Sequence, residues 1–194
     1  HLKEELGFYD LPDFNENLSY YYRKKYEEFY KQYKEKLENI KVLDPACGSG
    51  AFLNEAFDYL LKEHQQINKI RELATEKGQM TYDSIPDRQK EILKNNIFGV
   101  DLNKESVEIT KLSLWLKTAN KNKKLLSLDD NIKCGNSLID DEDIAGDKAF
   151  KWNEEFEDIM DNGGFDVIIG NPPYRALALG KKQEQWRLAQ KYQK

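Results

Sequence analysis

An asparagine, two prolines and a tyrosine, Asn171-Pro172-Pro173-Tyr174, follow the apolar run Phe165-Asp166-Val167-Ile168-Ile169-Gly170. A run of that length reads as a buried strand, and Gly170 allows a sharp turn at its end. The two prolines fix φ twice and present carbonyls with no N–H of their own. The product is a stiff loop with a carboxamide, outward carbonyls and an aromatic face. Those parts are suited to holding a planar group while accepting hydrogen bonds from its exocyclic amine. Open α/β sheets place ligand sites at strand carboxyl ends, where this loop stands.

A second constellation is Asp44-Pro45-Ala46-Cys47-Gly48-Ser49-Gly50. Gly48 and Gly50 permit close backbone approach by a ligand, and the helix that follows offers unpaired N–H groups. Asp101 ends another strand, where a carboxylate can accept from both hydroxyls of a ribose. A dinucleotide site would read Gly-x-Gly-x-x-Gly with its acid about 20 residues on. Here position 53 is leucine and Asp101 lies 51 residues beyond Gly50. The pattern favours a nucleoside ligand without a pyrophosphate.

Elements of regular spacing must position these loops. Tyr22, Tyr26, Phe29, Tyr33, Leu37 and Ile40 recur at steps of three and four, predicting an amphipathic helix over 19–40 capped by Asn17 or Ser19. Strands are expected at Lys41–Ala46, Ile97–Asp101, Asn131–Cys134 and Phe165–Ile169. A helix carrying Phe52, Leu53, Ala56, Phe57, Leu60 and Leu61 follows the first strand, and Gln89–Asn96 reads as a short helix. Another, capped by Asn103, runs to about Ala119 with Val107, Leu112, Leu114, Trp115 and Leu116. Trp152–Met160 is helical in pattern, and residues 62–85 read as a polar surface insertion. Alternating strands and helices imply an α/β, Rossmann-like fold with a mostly parallel sheet. Four strands make it a thin, incomplete one. The expected division is an N-terminal helical segment (1–40) packed on a core (41–174), then a tail (175–194).

Composition narrows the chemistry. The chain has 194 residues, 39% hydrophobic and 34% charged, so it is polar but too rich in aromatics for disorder. Two cysteines, Cys47 and Cys134, argue for a reducing compartment, hence the cytoplasm. His1 and His64 are the only histidines, both expected in solvent, which leaves no zinc cluster and no Ser-His-Asp triad. Net charge is −5, unevenly spread: 129–166 carries 13 acids and 3 bases, 175–194 carries 6 bases and 1 acid. The tail can therefore meet phosphates, and the acidic stretch should face away from them.

Taken together, the two loops resemble those of amino-methylating DNA methyltransferases of the adenine-N6 branch, with the glycine motif preceding Asn-Pro-Pro-Tyr in the gamma order. Ile97-Phe98-Gly99-Val100-Asp101-Leu102-Asn103 and Cys134-Gly135-Asn136-Ser137-Leu138 are similar to the large fused (type IIG) restriction–modification methylases and related phage-defence methylases. The resemblance covers about residues 37–174. It implies a Rossmann-like fold, S-adenosylmethionine as cofactor and DNA as partner, with the target adenine flipped out. Asp44, Ala46, Gly48 and Gly50 would surround the methionine part. Asp101 would hold the ribose, Leu102 would pack on the cofactor's adenine, and Asn136 would meet its amino group. Asn171 and the Pro172 carbonyl would take the N6 protons, Pro173 would stiffen the loop, and Tyr174 would stack on the target base. Cys47 is expected to pack rather than react, and Asp166 to start a strand.

The resemblance also has gaps. Glu5-Leu6-Gly7-Phe8-Tyr9-Asp10-Leu11-Pro12 does not supply the family's Tyr-Thr-Pro-like string. Three further strands, a second target-base contact and a sequence-reading region are expected elsewhere in a larger protein. The strand before Asn171 should lie beside the first strand, with an apolar edge. On this reading the 194 residues alone bind cofactor weakly and do not methylate DNA unaided. Other readings are a methyltransferase acting on cytosine N4 or a protein glutamine, or a non-catalytic nucleotide-binding domain.

Overall fold

The structure, a computed structural model, describes residues 2–12, 18–74, 85–118 and 126–171. Its elements are α1 (Leu2–Glu5), a 3-10 turn (Phe8–Asp10), α2 (Tyr20–Asn39), β1 (Val42–Asp44), α3 (Ala51–Ala74), α4 (Ile85–Asn95), β2 (Ile97–Asp101) and α5 (Lys104–Thr118). After these come β3 (Ile132–Cys134), α6 (Glu142–Ala145), a 3-10 turn (Gly146–Lys148), α7 (Trp152–Glu155), α8 (Glu157–Asp161) and β4 (Val167–Ile168). The four strands form one sheet in the order β3-β2-β1-β4, and every pair is parallel. The expected α/β class and the place of β4 beside β1 are both found.

Alternation along each strand divides the core into two. Val42, Ile97 and Ile132 point to one face, where α2, α3 and α5 bury Phe29, Leu37, Leu53, Phe57, Val107 and Leu114 against them. Leu43, Phe98 and Val100 point to the other, covered by Phe150, Trp152, Phe156 and Phe165. The aromatic rings there meet mostly edge to face, as between Phe98 and Phe156.

Two buried amides lock the strand entries. Asn96 Nδ2 donates to the carbonyls of Leu37, Glu38 and Ile40, binding the end of α2 to the start of β2. Asn131 Nδ2 donates to those of Leu93, Lys94 and Ile97, binding β3 to the end of α4.

Several expectations shift. Residues 62–74, expected within a polar surface insertion of weak pattern, continue α3 as one 24-residue helix. The reason is that two polar side chains belong to its buried stripe. Glu63 accepts the Tyr33 hydroxyl at 2.8 Å, and His64, expected in solvent, is buried beside Ile67. Residues 75–84 lie outside the described residues, as do Asn17 and the tail from 172. Ser19 takes the N-cap of α2 without a side-chain capping bond. The helix expected over Trp152–Met160 breaks at Phe156, whose backbone (φ −131°, ψ 46°) leaves the helical region so that its ring can enter the core. Tyr22, Phe52, Leu112 and Leu116 lie on exposed helix surface. Among the described residues no helix is long and apolar enough to cross a membrane.

Candidate functional site

Because β1 and β4 pair in parallel, the loop after β1 and Asn171 after β4 emerge at the same carboxyl edge of the sheet. The pairing runs Val42↔Val167 and Leu43↔Ile168, and the Ile169 N–H donates to Leu43 O at 2.9 Å. Gly170 then meets Asp44: a Cβ added to Gly170 would stand 2.7 Å from Asp44 Oδ1. Asn171 is exposed at this edge. Pro172, Pro173 and Tyr174 lie outside the described residues.

The glycine loop is held open by hydrogen bonds from three directions. Asp44 Oδ1 accepts the Ala46 N–H at 3.0 Å, and Asp101 Oδ2 accepts the Gly48 N–H at 2.8 Å. The Cys47 N–H donates to Val100 O at 3.0 Å. Thr110, from α5, donates its hydroxyl to Gly48 O at 2.8 Å. Gly50 has φ +83°, and a Cβ there would stand 2.8 Å from Thr110 Cγ2, so α5 closes on the loop only because glycine lacks a side chain.

Two carboxyls face this loop under different conditions. Asp101 is partly exposed; its Oδ1 also accepts the Asn103 N–H at 2.9 Å, and each oxygen keeps a lone pair for a further donor. Asp44 is 1% exposed, and its Oδ2 is buried with no hydrogen-bond partner among the described residues. Burial pushes the Asp44 carboxyl above its usual value, the Ala46 N–H opposes that, and the nearby Asp101 charge adds to it. Burial likewise pushes the Cys47 thiol up to about 12, with the charges of Asp101 and Asp44 adding. Cys47 packs, as expected of it.

At the neighbouring loops, Gly135 N–H donates to Asp101 O at 2.9 Å, which sets the start of the β3 loop against the end of β2. Asn136 N–H donates to Lys148 O at 2.7 Å, and its Oδ1 accepts the Leu138 N–H at 3.2 Å. Leu102 and Leu138 both present side chains to solvent here. Lys148 Nζ donates to Leu102 O at 3.1 Å, tying the two loops together. Thr110 and Lys148 had no sequence signal pointing to the site. Thr110 sits between Val107 and Leu114 on the inner face of α5, and Lys148 sits in an acidic stretch.

The edge thus gathers Asp44, Ala46, Gly48, Gly50, Asp101, Leu102, Asn136 and Asn171. It offers an unmet buried carboxyl oxygen, a second carboxylate with lone pairs to spare, exposed apolar surface at Leu102 and Leu138, and open space over Gly48, where an added Cβ would meet nothing within 4 Å. Such a set fits a ligand with a cationic end, vicinal hydroxyls and a flat ring. A separate groove of about 940 Å³ opens on the opposite, amino edge between Lys41, Asn131, Phe156 and Asp166.

Comparison with known proteins gives consistent matches. Residues 95–194 match the family described as Eco57I restriction-modification methylase. The chain is 37% identical over 152 residues to the type II restriction enzyme and methyltransferase RM.Eco57I of Escherichia coli, covering 71% of this chain and 15% of that protein. It is 35% identical over 89 residues to the adenine-specific methyltransferase BrxX of E. coli O9:H4, covering 46% of this chain and 6% of the relative. With DNA methyltransferase A of Bacillus subtilis it shares 28% over 170 residues, covering 77% and 16%. The chain therefore spans less than a fifth of each of these relatives.

Proposed function

The chain belongs to the Eco57I restriction-modification methylase family, and from that premise we propose that it carries the cofactor-binding and catalytic part of a DNA adenine-N6 methyltransferase within a restriction–modification or phage-defence enzyme. The observation that carries this reading is the meeting of the glycine loop and Asn171 at one sheet edge, with Asp44 touching Gly170.

S-adenosylmethionine, when bound, supplies a methyl group activated by a sulfonium. Gly48 and Gly50 let it approach the backbone, and the buried Asp44 carboxyl faces its cationic methionine end. Asp101 accepts from the ribose hydroxyls, while Leu102 packs on the adenine ring and Asn136 meets its amino group. An adenine within a duplex is out of reach, so the target base is extruded, with Tyr174 as its stacking face. Its N6 lone pair is delocalised into the ring. The Asn171 side-chain oxygen and the Pro172 carbonyl would accept hydrogen bonds from the two N6–H groups, draw the nitrogen toward tetrahedral geometry and localise that lone pair. The nitrogen, cationic once methylated, then loses one proton to solvent. Pro173 keeps the carbonyl fixed. Positioning of this kind supplies much of the rate without a strong general base. Methylation takes place in the cytoplasm, and reading of the DNA sequence falls mainly to other parts of the whole protein.

The test uses the full-length protein with tritiated S-adenosylmethionine and unmethylated plasmid DNA. Label should enter N6-methyladenine, and Asn171→Ala should abolish it. Label in cytosine or protein, or undiminished transfer by Asn171→Ala, would overturn the reading.

A further inference from the structure

One carboxyl oxygen touches both loops of the site. Asp44 Oδ1 accepts the Ala46 N–H at 3.0 Å, closing the first bend of the glycine loop. The same oxygen lies against Gly170, where an added Cβ would stand 2.7 Å from Oδ1 and 3.3 Å from Cγ. Gly170 holds φ +154°, and the next residue is Asn171. The turn that presents the carboxamide therefore rests on the wall formed by the Asp44 side chain.

The wall is chemically expensive. Asp44 is 1% exposed and one of its oxygens has no partner among the described residues. A buried acceptor left unmet opposes folding, and an apolar side chain of similar size would fill the space more cheaply. Its short side chain, set at the last residue of β1, can reach the neighbouring strand's turn without a flexible linkage. In-line group transfer depends steeply on the distance between donor and acceptor.

We propose that Asp44 is a positioning residue for methyl transfer: its carboxyl fixes the Gly170 turn, and with it Asn171, to the glycine loop, so that both reacting partners are held at one spacing. This role is additional to any contact of Asp44 with the cofactor, and it rests on the reading that Asn171 meets the target amine. It also gives Gly170 a reason to be glycine beyond the turn itself.

A double-mutant cycle in the full-length protein tests the link. Single-turnover methyl transfer to unmethylated plasmid DNA and S-adenosylmethionine affinity by calorimetry are measured for Asp44→Asn, Asp44→Ala, Gly170→Ala and Asp44→Ala/Gly170→Ala. Gly170→Ala should slow transfer about 100-fold while changing cofactor affinity less than about threefold. The double variant should transfer at least about tenfold faster than the product of the single losses, because the clash is gone. With S-adenosylmethionine saturating, Asp44→Asn, which keeps the shape and an acceptor, should transfer at least about tenfold faster than Asp44→Ala. Losses that simply multiply, or a cofactor affinity that falls in step with the rate in Gly170→Ala, would overturn the coupling. If Gly170→Ala does not melt cooperatively, the Asp44 pair decides: equal slowing in Asn and Ala overturns the proposal. Asn171→Ala separates the two ideas, since undiminished transfer there sinks the reaction itself, whereas its loss alongside independent Asp44 and Gly170 effects sinks the coupling alone.

Discussion

Asp101 and Gly48 stand 53 residues apart in the chain and are joined by one hydrogen bond, the Gly48 N–H donating to Asp101 Oδ2 at 2.8 Å. The carboxylate that would receive the ribose hydroxyls thus also sets the shape of the loop that would receive the methionine part. Asp101→Ala should weaken S-adenosylmethionine binding about 10–100-fold, the worth of one or two hydrogen bonds to a charged group. Calorimetry on the full-length protein measures this, with circular dichroism unchanged. A loss below about threefold would remove Asp101 from the cofactor site.

The two glycines of the loop should fail differently. Gly50→Ala drives a methyl against Thr110 at a backbone φ of +83°, and should cost about 2–4 kcal/mol in urea unfolding. Gly48, at φ +54°, has open space around it, so Gly48→Ala should cost about 1–2 kcal/mol. It should nonetheless weaken cofactor binding more than about tenfold, since the open space is where the ligand would lie.

Asp44 predicts a pH dependence with a definite sign. Burial raises its folded-state pKa above the 3.8 of a free aspartate. Its favourable contribution is therefore full below 3.8 and is lost as pH rises through the raised folded value. Asp44→Asn, neutral throughout, should melt about 2–4 °C above wild type at pH 8. That gain should shrink as the pH is lowered through the raised folded value toward 3.8. A gain that is constant with pH would show that the carboxyl is not perturbed.

The two thiols should react at very different rates. Cys47 is buried with its thiol pushed up to about 12, so only about one part in ten thousand is thiolate at pH 8. Cys134 is exposed and free. Iodoacetamide at pH 8 should label Cys134 in the folded protein and reach Cys47 only on unfolding, as read by peptide mass spectrometry.

Asn131 predicts a stability effect remote from chemistry. Its amide nitrogen donates to three carbonyls at 3.0–3.2 Å. Asn131→Asp would set a carboxylate among those acceptors and should cost at least about 3 kcal/mol in urea unfolding, more at pH 8 than at pH 5.

Much of this molecule is written locally. Ile97–Asp101 forms the expected strand with its bounds intact, Asn103 Oδ1 caps α5 by accepting the Ser106 N–H at 3.0 Å, and Tyr26, Phe29, Tyr33 and Leu37 form the buried stripe of α2. These follow from periodicity and from cap chemistry, which involve neighbours within a turn or two. The length of α3 was hidden because Glu63 and His64 are polar, and their burial depends on Tyr33 of another helix and on the packing around Ile67. The break at Phe156 was hidden too, since it serves a ring cluster assembled from β2, α7 and the approach to β4.

The amino-acid sequence by itself determined the two loops of the candidate site, their order, the alternation of strands with helices and the family to which they point. Glycine, proline and the spacing of apolar side chains restrict backbone angles wherever they occur, so they can be read without a fold. Tertiary structure alone decided that Asp44 would lie under Gly170, that Asp101 would hold Gly48, and that Thr110 would close on Gly50. Those contacts join residues 53 to 126 positions apart. They exist only because parallel pairing of β1 with β2 and β4 brings distant strand ends to one edge, a consequence of burying both faces of the sheet at once.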